Sequence, residues 1–169
     1  MAVGKLIQVN TTTVSNVSNF SLTGIDSDNN YIVVLNNLYM ITDGARPRLR
    51  FTVSGTPDTS ANYDYSGKDA YSNTAYTFVA ETSATYFNGF AIGTNNTECI
   101  SAIYNLYNFN SSSEYSFISY ETVSTNNAGA SAHRYGGMVL QVAQSCDGLN
   151  WHSSTNNISN ATATLYKVV

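Results

Sequence analysis

His133 and His152 are the only histidines in this 169-residue chain, so any Ser-His or Cys-His nucleophile working near neutral pH must use one of them. His133 falls within residues 128–137, a run of Ala, Gly and Ser that reads as a small-residue loop with the imidazole facing solvent. No Gly-x-Ser-x-Gly elbow occurs, so no serine is marked as a nucleophile. Glycoside hydrolysis needs two carboxyl groups facing one cleft. Glu81, Glu98, Glu114 and Glu121 lie on or at the ends of strand-like runs, and no local spacing singles out a pair. They read as acids on exposed strand faces, and no catalytic residue is assigned.

Residues 26–30, Asp-Ser-Asp-Asn-Asn, open like a calcium-binding loop. The helix-loop-helix version needs glycine at its sixth position and glutamate at its twelfth. Tyr31 and Asn37 stand there instead. A looser site on Asp26 and Asp28 stays open beside a plain hydrogen-bonded turn, in which Asp and Asn satisfy their own backbone. Cys99, Cys146 and two distant histidines do not make a zinc site. The thiols read as free and buried, because cysteine packs as a small apolar side chain. No phosphate-cradling glycine cluster precedes a Lys-Ser or Lys-Thr, and no cofactor is expected.

Two features point to contact rather than catalysis. Arg46, Arg48 and Arg50 are three of only seven basic residues, and strand alternation puts them on one face. They read either as a solvated face that discourages edge pairing or as an interface with acidic neighbours. Tyr63, Tyr65, Tyr71, Tyr76 and Tyr86 crowd together among Asn62, Asp64, Asp69, Asn73 and Asn88. Aromatic faces and amides of this kind serve core packing, subunit contact or glycan contact.

The elements that position these residues are strands. Charged residues make up 11% of the chain, well below the roughly 25% usual in soluble domains, so amides, hydroxyls and tyrosines must cover the surface. The 43% of hydrophobic residues is enough for a core. Runs of β-branched and aromatic residues alternate with breaks such as Asn29-Asn30, Asn36-Asn37, Asn95-Asn96, Asn126-Asn127 and Asn156-Asn157. Strands are expected over residues 5–9, 19–24, 31–41, 46–54, 62–71, 76–80, 86–92, 99–109, 114–123, 137–143 and 158–168. The continuous apolar run Ile32-Val33-Val34-Leu35 suggests burial on both faces. No window has capped helical periodicity. The expected fold is all-β, a single-domain antiparallel β-sandwich, jelly-roll-like, over residues 1–169.

Several segments, in order, resemble a known family. They are residues 22–27 (Leu-Thr-Gly-Ile-Asp-Ser), 31–38 (Tyr-Ile-Val-Val-Leu-Asn-Asn-Leu), 45–55, 104–110, 113–117 and the closing Ala163-Thr164-Leu165-Tyr166-Lys167. The chain is similar to small virion structural and tail-fibre-like proteins of tailed phages that infect marine bacteria and cyanobacteria. That family usually ends Leu-Tyr-Gly, whereas Lys167 stands in place of the glycine here. The resemblance implies a particle component without enzymatic activity.

The expectation is therefore a non-enzymatic virion protein, a small surface fibre or capsid decoration present in multiple copies. Its expected partners are other capsid or tail proteins and further copies of itself. The alternative is a receptor-binding tail-fibre tip that recognises host surface glycan. A net charge of −4 argues against nucleic acid as partner. No segment has the run of ~20 apolar residues that crosses a bilayer. The first residues lack the apolar core of a signal peptide, which fits intracellular assembly followed by lysis.

Overall fold

The computed structural model describes residues 4–94 and 98–169. In chain order its strands are β1 (Leu6–Val17), β2 (Asn19–Thr23), β3 (Tyr31–Met40), β4 (Pro47–Val53), β5 (Thr56–Pro57), β6 (Tyr63–Tyr71), β7 (Thr74–Ala84), β8 (Phe87–Asn88), β9 (Ile100–Tyr107), β10 (Ser116–Thr125), β11 (Ser131–Leu140), β12 (Gly148–Ser153) and β13 (Ile158–Val168). No helix occurs among the described residues. An eight-stranded sheet runs β1-β13-β3-β9-β10-β11-β6-β7, and a five-stranded sheet runs β2-β12-β4-β5 with β8 also on β4. Every pairing is antiparallel. The two sheets enclose one hydrophobic core, so the expected antiparallel sandwich is the fold.

Alternation decides which residues meet inside. Phe20, Leu22, Leu49, Phe51, Leu149 and Trp151 project from the small sheet, and Tyr31, Val33, Leu35, Tyr104, Leu106, Ile118, Tyr120 and Met138 from the large one. Rings pack within and between the sheets: Trp151 stacks on its neighbour Phe20 in the small sheet at 5.1 Å and lies 6.1 Å from Tyr104 of the large one, and Phe87 lies 4.7 Å from Tyr120 across the core. Each pair adds about 0.5–1.5 kcal/mol beyond its buried area. The asparagine breaks do more than end strands. Asn16, Asn37, Asn108 and Asn156 take positive φ (51–59°), a region in which Asn is among the more tolerated side chains. Asn37 does so where β3 slips register against β9. The Asn95-Asn96 break lies outside the described residues.

Four expectations need correction. Ile32 and Val34 are only half-buried, because the face of β3 that carries them looks away from the small sheet. Residues 131–140 form a strand rather than a loop, so His133 sits on β11. Glycine misled that reading. Gly136 faces Gly67 across the β11–β6 pair, and a Cβ at Gly136 would meet the Tyr120 hydroxyl at 2.7 Å. The glycine pair is therefore the bed for a buried ring, one of the uses of glycine inside a strand. Residues 148–153 form β12, although Leu149 and Trp151 alternating with Asn150 and His152 was a readable strand signal. Residues 86–92 pair only briefly, as β8 and as isolated bridges from Ile92 to Ala45 and Asn126.

Candidate functional site

The small sheet turns its apolar side chains inward, so its other face is polar. In register across it, His152 opposes Arg48 and Asn150 opposes Arg50 on one side, while Asn19 and Ser21 follow on β2. Asn150 is buried and bonded, donating to the Phe20 carbonyl at 3.1 Å and the Ser21 hydroxyl at 3.0 Å. Beyond β4, residues 85–89 run alongside the arginines. Arg46 Nη1 donates to the Gly89 carbonyl and Arg50 Nε to the Thr85 carbonyl, both at 2.9 Å. The Arg48 guanidinium lies 4.1 Å from the Tyr86 ring centre, Arg50 5.8 Å from it, and the His152 imidazole meets the same ring edge-on at 5.8 Å.

Arg48 and Arg50 meet at Tyr86 and Arg46 follows at Gly89 along the same segment, yet none has a carboxylate within 4.0 Å among the described residues. The neighbouring acids are engaged elsewhere. Asp147 accepts from the Thr52 hydroxyl at 2.6 Å and the Gly55 N–H at 2.7 Å. Asp58 accepts from the Ser60 N–H at 2.7 Å and from Gln144 at 2.6 Å. Arg48 Nε, Asn88 Oδ1 and His152 Nδ1 are shielded from solvent and have no hydrogen-bond partner among the described residues. Burial of His152, reinforced by Arg50 and then Arg48, lowers its pKa from 6.5 to about 4. The imidazole is thus neutral at pH 7, and the positive charge of this face belongs to the arginines. The edge-guarding explanation for them lapses, because β4 is paired on both sides, by β12 and by β5 and β8. What remains is a face able to receive anionic groups, with guanidinium forks suited to carboxylates.

The five tyrosines do not form one patch. Tyr63 is 0% and Tyr65 7% exposed, and both pack in the core. The Tyr63 hydroxyl accepts from the Phe51 N–H and donates to the Asp58 carbonyl, each at 3.1 Å. Tyr71 is half-buried, with its hydroxyl on Asp69 at 3.1 Å and its ring edge-on to Phe90. Tyr76 is exposed at the margin of the large sheet beneath Lys68, and Tyr86 belongs to the arginine face. Core packing therefore claims Tyr63 and Tyr65, while half-buried Tyr71 and Tyr86 and exposed Tyr76 keep surface open to a partner.

The remaining candidates are scattered. His133 Nε2 lies 3.1 Å from Glu121 on the outer face of the large sheet, and no hydrogen bond joins either histidine to a serine, threonine or cysteine among the described residues. The Asp26 carboxylate accepts from the Tyr31 hydroxyl at 2.9 Å and Ser27 at 3.1 Å, with Lys167 at 3.5 Å, and these three hold its pKa below the usual value. No group of three or more His, Cys, Asp or Glu is placed to hold a metal ion among the described residues. Cys99 and Cys146 are free; Cys99 is only partly buried, and burial raises the Cys146 thiol to about 11.

Sequence reasoning missed the charged centre of the molecule. Arg134 is 4% and Asp69 2% exposed, and they pair through Nε at 2.5 Å and Nη2 at 2.8 Å. Arg134 Nη1 also donates to the Asn88 carbonyl at 2.5 Å. Burial by itself would lower the Arg134 pKa, but the Asp69 hydrogen bonds and charge raise it instead. No local signal pairs residues this far apart in the chain. No protein-family model, curated protein or solved structure matches this chain.

Proposed function

We propose that this chain is a non-enzymatic structural protein of a tailed-phage particle, a small surface fibre or decoration component carried in many copies. In this reading Arg46, Arg48 and Arg50 dock onto an acidic neighbour in the capsid or tail. The observation that carries it is the arginine row itself. An acidic chain of net charge −4 gathers three of its seven cations on one face and places no carboxylate within 4.0 Å of them among the described residues. The resemblance of the segment order to small phage virion proteins supports the same reading. Each contact is individually weak, and copy number multiplies it.

Gold-labelled antibody against the native chain tests this on intact particles. Label on the head or tail is expected, together with loss of particle association when Arg46 and Arg50 are both changed to glutamate. Unlabelled particles, with the antibody competent on native protein, would end the virion reading.

The alternative is a receptor-binding tail-fibre tip for host glycan. It is favoured by Tyr86, a half-buried ring beside Arg48 and Asn88, and by exposed Tyr76. It loses Tyr63 and Tyr65 to the core. A glycan array with purified protein separates the two readings, since the docking role predicts no sugar binding.

A further inference from the structure

A sheet edge is a row of unpaired N–H and C=O groups, and natural proteins guard such edges with short strands, proline, charge, bulges or a covering segment. Among the described residues two edges of this sandwich are guarded and β1 is covered over part of its length. The β5 edge is two residues long and contains Pro57. The β2 edge meets the middle of β1 at a corner, where Asn10 Nδ2 donates to the Thr23 carbonyl at 2.8 Å and the Thr12 hydroxyl to the Ser21 carbonyl at 3.5 Å, while Leu6, Ile7 and Val9 at the start of β1 stay exposed.

The other edge is β7, whose residues 76–82 have no strand beside them except β6 among the described residues. It ends the large sheet, runs for 11 residues and carries Glu81 as its only charge and no proline. Residues on both of its faces are exposed, and Phe78 (83%) and Tyr76 (64%) stand out among the exposed hydrophobic side chains. Lys68 lies over these rings, 4.1 Å from Tyr76 and 6.0 Å from Phe78, on the sheet face rather than along the edge. Its pairing with β6 is regular over residues 77–81 and shifts register on either side.

We infer that β7 pairs antiparallel with β7 of a second copy, about a two-fold axis at Val79, the midpoint of that regular span. A single patch must then complement itself, as two-fold contacts require. It does: Thr77 opposes Glu81 of the partner subunit, so the acids avoid each other. Phe78 opposes Ala80 of the partner subunit, which leaves room for the ring. The two phenylalanines become diagonal neighbours, within reach of each other on one face of the joined sheet. The product is a continuous sheet of sixteen strands, twice the eight of one copy. This inference deepens the multi-copy reading above, but its test uses purified protein and needs no particle. A monomer would overturn the β7 pairing while leaving particle labelling to decide the virion reading.

Sedimentation equilibrium of the purified chain should show a dimer. Phe78→Lys, at an exposed position that leaves the core untouched, should weaken it by at least about tenfold with an unchanged circular dichroism spectrum. In a Cys99→Ser background, Val79→Cys should cross-link on mild oxidation and Thr56→Cys should not. The proposal fails if the chain stays monomeric at high micromolar concentration. It also fails if the dimer persists unweakened in Phe78→Lys, or if Val79→Cys cross-links no faster than Thr56→Cys.

Discussion

Residues 85–90 are gripped by arginines from two sides, and the two sides treat charge in opposite ways. Inside, Arg134 holds the Asn88 carbonyl, lies over the Phe90 ring at 4.6 Å, and has its charge matched by Asp69. Outside, Arg46 and Arg50 hold the Gly89 and Thr85 carbonyls and Arg48 packs on Tyr86, with no carboxylate within 4.0 Å among the described residues. A buried ion must be paired within the chain, because desolvation costs several kcal/mol per ion. An arginine at the surface keeps water on its outer nitrogens and can await a partner. The same side chain thus serves the fold in one place and contact in the other.

The largest effect should come from breaking the inner pair. Arg134→Met leaves the Asp69 carboxylate buried and alone and should cost about 3–5 kcal/mol. Urea denaturation measures this, and the double variant Arg134→Met, Asp69→Leu should recover much of the loss. If Arg134→Met costs less than about 1 kcal/mol, the division between inner and outer arginines does not hold.

A smaller effect is expected from acid. His152 has its pKa lowered from 6.5 to about 4 by burial, then by Arg50 and Arg48. Between those values the unfolded chain binds a proton that the folded chain refuses. The stability dependent on His152 is therefore complete above pH 6.5 and lost as pH falls toward about 4. The ring is only half-buried, so solvent screening reduces the loss below what the full shift implies. Melting temperatures of wild type and His152→Gln across this window check it: the variant should show the shallower decline. An acidic peptide docked on the outer row should also raise the His152 pKa, because it offsets the field of Arg48 and Arg50. A titration by NMR that shows no movement when such a peptide binds would remove the arginines from the docking face.

Smaller again is the stability cost at the row itself. Arg48→Ala removes the cation–ring contact with Tyr86 and should destabilise by about 1 kcal/mol. A loss as large as that of Arg134→Met would recast the outer row as a structural clamp. The smallest effect should be that of salt on folding. Raising ionic strength should leave the unfolding midpoint nearly unchanged, since the inner pair is shielded, while weakening association through the outer row.

The strand pattern was legible where alternation was strict. In β4, Leu49 and Phe51 are buried opposite the arginine face, because side-chain direction in a strand follows from period two alone, and the pattern breaks only at its end, where Thr52 is buried and Val53 half-buried. It failed where a residue served a distant neighbour. Gly136 looks like a loop former until Tyr120 and Gly67 are placed against it. Ile32 and Val34 look like core until the outer face of the large sheet is seen to be bare. The arginine row was visible as a set of three, but Tyr86, His152 and Asn88 join it only through the pairing of β12 and β8 with β4.

By itself, then, the sequence determined an all-β chain with an alternating core, asparagine-rich turns, a scarcity of ions and one cationic strand face. These are properties of neighbours in the chain, set by local sterics and periodicity. Only the tertiary structure decided that Arg134 meets Asp69 across 65 positions, that Tyr63 and Tyr65 turn inward, and that β7 ends the large sheet. Those outcomes depend on register and on the stacking of two sheets, which bring together residues that no local pattern connects.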